Sequence, residues 1–174
     1  MHENNSTLAT RAEQSSETIT VGMGDMKVSP KANSALVTHA LGSCIAVIVY
    51  DPIQKKGGMI HYMLPISKRS PDRAATQPAM FADVGVPKLF EAMYAMGCKK
   101  KDLVVKVAGG ASINQDGEMF QIGKRNFAVL RKMFWQNQIL MTAQDVGGSH
   151  YRTAKLDIES GRVTIKTRLG EKTL

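Results

Sequence analysis

The chain has 174 residues, 43% hydrophobic and 22% charged, with 23 basic against 15 acidic side chains and a formal net charge of +8. That length and composition fit one globular domain, and two cysteines, Cys44 and Cys98, exclude a disulfide scaffold or a four-cysteine zinc site. No apolar run approaches the roughly 18 residues of a membrane span and no secretory signal is visible, so the expectation is a reduced, cytoplasmic protein without membrane insertion.

A basic chain is steered toward anionic partners. The basic residues here are dispersed, only 6% of the chain is aromatic, and no aromatic and basic residues interleave as in a base-stacking platform. Nucleic acid is therefore not an expected partner.

Residues 1–18 are too polar to offset the entropy of ordering and read as a flexible leader ahead of a single domain over 19–174. Ile19 to Met23 predicts a short strand, and Ala35 to Ala40 another. Cys44 to Tyr50 is a continuous β-branched run, the pattern of a strand buried on both faces. Asp51-Pro52 ends it, and Gly58 to Met63 returns as the partner strand of a hairpin. Ile66 to Pro78 reads as a loop. Phe81, Val84, Leu89, Phe90, Met93 and Met96 then follow a helical period, with Gly97 placed to end the helix and Pro87 inside the pattern. Asp102 to Ala108 predicts a strand, Arg125 to Gln136 a second helix with Val129, Leu130, Met133 and Phe134 on one face, and Ile139 to Val146 a strand. Tyr151 to Ile158 and Arg162 to Lys166 predict a closing hairpin. The order implies a layered α/β sandwich with a mixed, mostly antiparallel sheet and two main helices.

Several chemistries lack their residues. There is no dinucleotide or phosphate loop, no paired cysteine or histidine spacing for zinc, and no carboxylate pair suited to glycosidase work. No metal and no cofactor are expected. What remains is Cys44, opening a buried strand after Gly42-Ser43, and His61 on the next strand. A glycine at this point lets a ligand approach the backbone. A hairpin turn centred near Gln54 pairs Cys44 with a residue in the low sixties, within reach of His61. A neutral imidazole there could take the thiol proton and leave the nucleophilic thiolate. The same spacing is compatible with a cysteine acting as a small hydrophobe and a histidine as filler. His39 and His150 are alternative bases, and Cys98 reads as structural.

These residues carry a resemblance. Thr38-His-Ala-Leu-Gly-Ser-Cys44-Ile-Ala-Val, followed by Gly57-Gly58-Met-Ile-His61-Tyr-Met-Leu-Pro65, resembles the chemoreceptor glutamine deamidase family, CheD. Phe81-Ala82-Asp83, Lys106-Val-Ala-Gly109-Gly110-Ala111, Ile122-Gly123-Lys124-Arg125-Asn126 and Asp145-Val-Gly147-Gly148 fall in the family's order. The resemblance runs from about Ile19 to Lys166. It implies a protein-glutamine glutaminase that hydrolyses glutamine side chains on the cytoplasmic helices of methyl-accepting chemotaxis receptors, giving glutamate and ammonia. It implies Cys44 as nucleophile, His61 as base and Thr38 as third catalytic member, on a fold like that of bacterial toxin deamidases. It also implies association with receptor clusters and a CheC-type response-regulator phosphatase as a second partner, with regulation of that phosphatase the alternative role. For such a reaction the oxyanion donors are expected around Ser43-Cys44, with Gly42 shaping the approach. One departure stands out: Tyr151-Arg152 occupies the place of the family's usual Gly-Arg pair, so the arginine is kept and the glycine is not.

Overall fold

The structure, a computed structural model, describes residues 17–113 and 118–174. The expected leader lies outside the described residues except for Glu17 and Thr18, which already belong to a strand. The strands are β1 (Glu17–Thr20), β2 (Asp25–Ser29), β3 (Ser34–Leu41), β4 (Ile45–Asp51), β5 (Lys56–Tyr62), β6 (Val104–Gly109), β7 (Met141–Val146), β8 (Arg152–Asp157), β9 (Val163–Thr167) and β10 (Gly170–Thr173). The helices are α1 (Pro71–Thr76), α2 (Ala82–Ala95) and α3 (Glu118–Gln136).

Two five-stranded sheets form, in the orders β1-β3-β8-β9-β10 and β2-β5-β4-β6-β7. Only β1 with β3 and β6 with β7 pair in parallel; the other pairings are antiparallel. The layered sandwich with mixed, mostly antiparallel pairing and two main helices is thus present, its strands divided between two sheets.

β4 explains the layering. All seven of its residues are buried. Ile45, Val47 and Val49 join Leu89, Met93, Leu130 and Phe134 from α2 and α3. Ala46, Ile48 and Tyr50 join Leu36, Leu156 and Ile165 of the other sheet. The second sheet is therefore the middle layer, covered by helices on one face and by the first sheet on the other. Each large apolar side chain buried this way contributes roughly 1.5–3 kcal/mol. Glycines keep the layers close: a Cβ on Gly57 would stand 2.4 Å from Ile158 Cδ1, and one on Gly58 would stand 2.8 Å from Leu89 Cδ1.

The hairpin of β4 and β5 forms as expected, and Gly97 ends the α2 segment with φ +88°. Other elements differ from expectation. The polar stretch read as a loop contains α1, which buries no side chain. β2 and β10 were not foreseen; both lie at sheet edges, and β10 is exposed throughout. α3 starts at Glu118, seven residues before Arg125. Gly123 interrupts the apolar pattern there because it is a contact point. A Cβ on it would stand 2.8 Å from the Gly110 carbonyl oxygen.

Candidate active site

Cys44 lies in the bend between β3 and β4, one residue before β4, and is partly exposed. The end of β6 fixes this bend. Gly110 N–H donates to the Cys44 carbonyl at 2.8 Å, and Ala111 N–H to the Gly42 carbonyl at 2.8 Å. Gly109 has φ +118°, and a Cβ on it would stand 2.1 Å from the Cys44 carbonyl oxygen. A side chain cannot occupy that position without displacing the cysteine, so the glycine is a requirement of the bend.

Thr38 and His61 meet across the space between the sheets. Both are fully buried. The Thr38 hydroxyl donates to the Val21 carbonyl at 2.7 Å. A carbonyl can only accept, so this bond uses the single hydroxyl proton. The 2.8 Å contact between Thr38 Oγ1 and His61 Nδ1 then requires Nδ1 to be the donor. Burial lowers the His61 pKa to about 4, so the ring is neutral near pH 7 and its Nε2 carries a bare lone pair. That Nε2 is buried and has no hydrogen-bond partner among the described residues. That atom is available to accept a proton.

The register relates this imidazole to the thiol. Ala46, not Cys44, is opposite His61, and Ile45 is opposite Tyr62. Two residues along a strand return to the same face, so Cys44 shares the face of Ala46 and is the diagonal neighbour of His61. Cys44 packs with the inter-sheet core, the layer that holds Thr38 and His61. Diagonal neighbours lie about 7–8 Å apart or somewhat less at Cβ, within reach of long side chains. Burial raises the Cys44 pKa, against the opposing pull of its own backbone N–H. At rest the two groups are therefore a neutral thiol and a neutral imidazole, not an ion pair.

The alternative bases stand elsewhere. His39 is exposed on β3 and its Nδ1 meets Thr153 Oγ1 at 3.3 Å, beside a bulge between Thr38 and Leu41. His150 accepts from Arg168 Nε at 3.2 Å through its Nδ1. Cys98 is buried in the helix-side core, where burial and then the Asp51 carboxylate push its thiol up to about 11.

Three further residues shape the site. Asn126, absent from the sequence expectations as a functional group, is fully buried and donates from Nδ2 to the Ser43 carbonyl at 3.0 Å and the Met63 carbonyl at 2.9 Å. It occupies the apolar stripe of α3 one turn before Leu130 and two before Phe134, and a polar residue in that stripe was the available signal. Tyr151 packs over Gly42: a Cβ there would lie 2.9 Å from its ring, so this side chain borders the approach to Cys44. Arg152, the retained half of the departing pair, donates to Asp145 at 3.1 Å and to the Gly147 carbonyl at 2.8 Å. Gly147 N–H in turn donates to the Gly109 carbonyl at 2.9 Å, behind the cysteine bend. Burial works to raise the Asp145 pKa, but Arg152 and Lys172 overcome it and hold the carboxyl below its ordinary value. Arg152→Met leaves Asp145 with only the exposed Lys172; we expect a loss of about 3 kcal/mol in denaturant unfolding, with the midpoint reading the change.

The sequence model of a family described as CheD chemotactic sensory transduction matches residues 63–167. A relative from Syntrophus aciditrophicus, named probable chemoreceptor glutamine deamidase CheD 1, is 49% identical over 87% of this chain and 95% of its own. The chain belongs to the CheD family. A second CheD relative, from Anaeromyxobacter dehalogenans, is 48% identical over 86% of this chain and 94% of its own. A third, from Solibacter usitatus, is 44% identical over 91% and 94%. Both bear the name probable chemoreceptor glutamine deamidase. The match to the CheD model begins at Met63 and so does not include Thr38, Cys44 or His61. No described helix is long and apolar enough to cross a membrane.

Proposed function

We propose that this protein hydrolyses glutamine side chains of methyl-accepting chemotaxis receptors to glutamate and ammonia, through a thioester on Cys44. The observation that carries the reading is the relay from Val21 through Thr38 to His61, which leaves Nε2 bare on the sheet face shared with Cys44. The names of the CheD relatives supply the substrate class.

In the proposed reaction the Cys44 thiol gives its proton to His61 Nε2 as Sγ bonds to the carboxamide carbon. The amide oxygen becomes an oxyanion, received by backbone N–H groups of the Ser43-Cys44 bend. The imidazolium then protonates the departing nitrogen, the C–N bond breaks and ammonia leaves a thioester. His61 next takes a proton from water, the hydroxide adds, and the C–S bond breaks to free glutamate. The sulfur recovers its proton from His61. Thr38 keeps Nδ1 as the donor throughout, stabilising the charged ring without itself titrating. The +8 net charge draws the enzyme toward cytoplasmic receptor helices rich in carboxylates.

The test is mass spectrometry of receptor fragments incubated with wild-type protein, read at individual glutamines for the amide-to-acid mass change. No conversion of any glutamine, with Cys44 shown to be intact, would overturn the reading. Thr38→Val is expected to fold and to lower kcat by about 10²-fold, since the imidazole loses its fixed tautomer, while KM for the fragment stays close to that of wild type. Binding of a CheC-type phosphatase is a separable role within the family reading: it is expected to survive Cys44→Ala, and pull-down with that variant measures it.

A further inference from the structure

α3 meets the cysteine bend at Asn126, and at Gly123 it meets the segment after β6 that fixes the bend. Gly123 packs on the Gly110 carbonyl with no room for a Cβ. One turn on, Asn126 hydrogen bonds to the carbonyls of Ser43 and Met63, which stand in the bend two residues before β4 and just past the end of β5. The amide orientation is forced, because both partners are carbonyls and only the NH2 group can donate. Tyr62, kept protonated by burial, donates to the Asn126 backbone carbonyl at 2.9 Å and locks that turn of the helix in place.

The bond to Ser43 sets the orientation of a peptide plane. In a trans peptide the C=O and the following N–H point in opposite directions. With the Ser43 carbonyl turned to α3, the Cys44 N–H is turned away from α3, and the thiol packs with the inter-sheet core. We propose that Asn126 is a positioning residue that aims the Cys44 backbone N–H at the carbonyl oxygen of the group under attack. Its Oδ1 is buried without a partner among the described residues, a cost set against the Ser43 and Met63 carbonyls that the NH2 group satisfies.

The inference deepens the deamidase reading, but its test is independent of glutamine. Cys44 is acylated with p-nitrophenyl acetate, a step that develops an oxyanion, and separately alkylated with iodoacetamide, a displacement that develops none. In Asn126→Leu the acylation rate is expected to fall by about 10²-fold, as when one oxyanion donor is removed, with alkylation nearly unchanged. Asn126→Asp, which preserves volume, is the second variant if the leucine does not fold. Its carboxylate has no proton to donate, and acylation is expected to recover as pH falls and the group becomes an acid. Equal loss in both reactions, or loss in neither, overturns the inference. Wild-type protein that is acylated by the ester yet converts no receptor glutamine overturns the deamidase reading and leaves the role of Asn126 intact.

Discussion

Cys44→Ala is expected to reduce glutamine conversion on receptor fragments to the uncatalysed background. The sulfur is the only atom in the proposed cycle that bonds to the substrate, so no residual covalent route survives its removal. The loss is not a folding effect. Cys44 is partly exposed and precedes β4, and the bonds from Gly110, Ala111 and Asn126 to this bend all use backbone carbonyls, which alanine retains. Unfolding midpoints of variant and wild type should therefore lie close together. Acid quenching of wild-type protein during turnover should trap an adduct on Cys44 equal to the substrate less ammonia. Full conversion by Cys44→Ala would remove the nucleophile from the mechanism, whatever the family.

His61 is expected to show two linked pH effects. Its pKa lies at about 4 rather than 6.5, because burial disfavours the charged ring. The imidazole is therefore competent as a base far below the ordinary histidine range, and the acid limb of kcat/KM should fall near pH 4. For stability the sign follows from linkage. The unfolded chain takes up a proton at His61 near pH 6.5, whereas the folded chain does so only near 4. Between those values the unfolded state binds more protons and stability falls as pH falls. The contribution is complete above about pH 6.5 and decreases by roughly 3 kcal/mol on descending through 4. His61→Gln should flatten this part of the urea-midpoint profile relative to wild type and lower kcat by about 10²–10⁴-fold. An acid limb that stays at 6.5, with the same slope in both proteins, would mean that the ring is solvated and not enclosed.

The middle of this fold was readable in the sequence because burial there is written locally. β4 has no polar face, so its residues form an unbroken apolar run, and α2 shows its core at helical spacing. The edges were not readable for the converse reason. β2 alternates weakly, β10 is exposed, and each is a strand only because a neighbour supplies its backbone partners. The division into two sheets depends on which face of β3 meets which face of β5, a long-range fact without a local signature. At the site, Cys44 and His61 stand out by spacing and resemblance, and the hairpin register places Ala46 opposite the histidine, so that Cys44 is its diagonal neighbour. Thr38 is legible only through the resemblance, and the Val21 carbonyl that takes its hydroxyl proton, seventeen residues earlier, has no signal in the sequence. Asn126 was visible only as a polar residue out of place in an apolar stripe.

The protonated state of the resting sulfur has a consequence for survival in the cell. Peroxide and disulfide reagents attack cysteine through its anion, and at Cys44 the anion is disfavoured until an amide arrives to receive it. An enzyme built on a standing thiolate must be shielded from oxidants by some other means. Here the protection lies in the raised pKa of the thiol, and Cys44 should outlast oxidative episodes that inactivate cysteines of lower pKa.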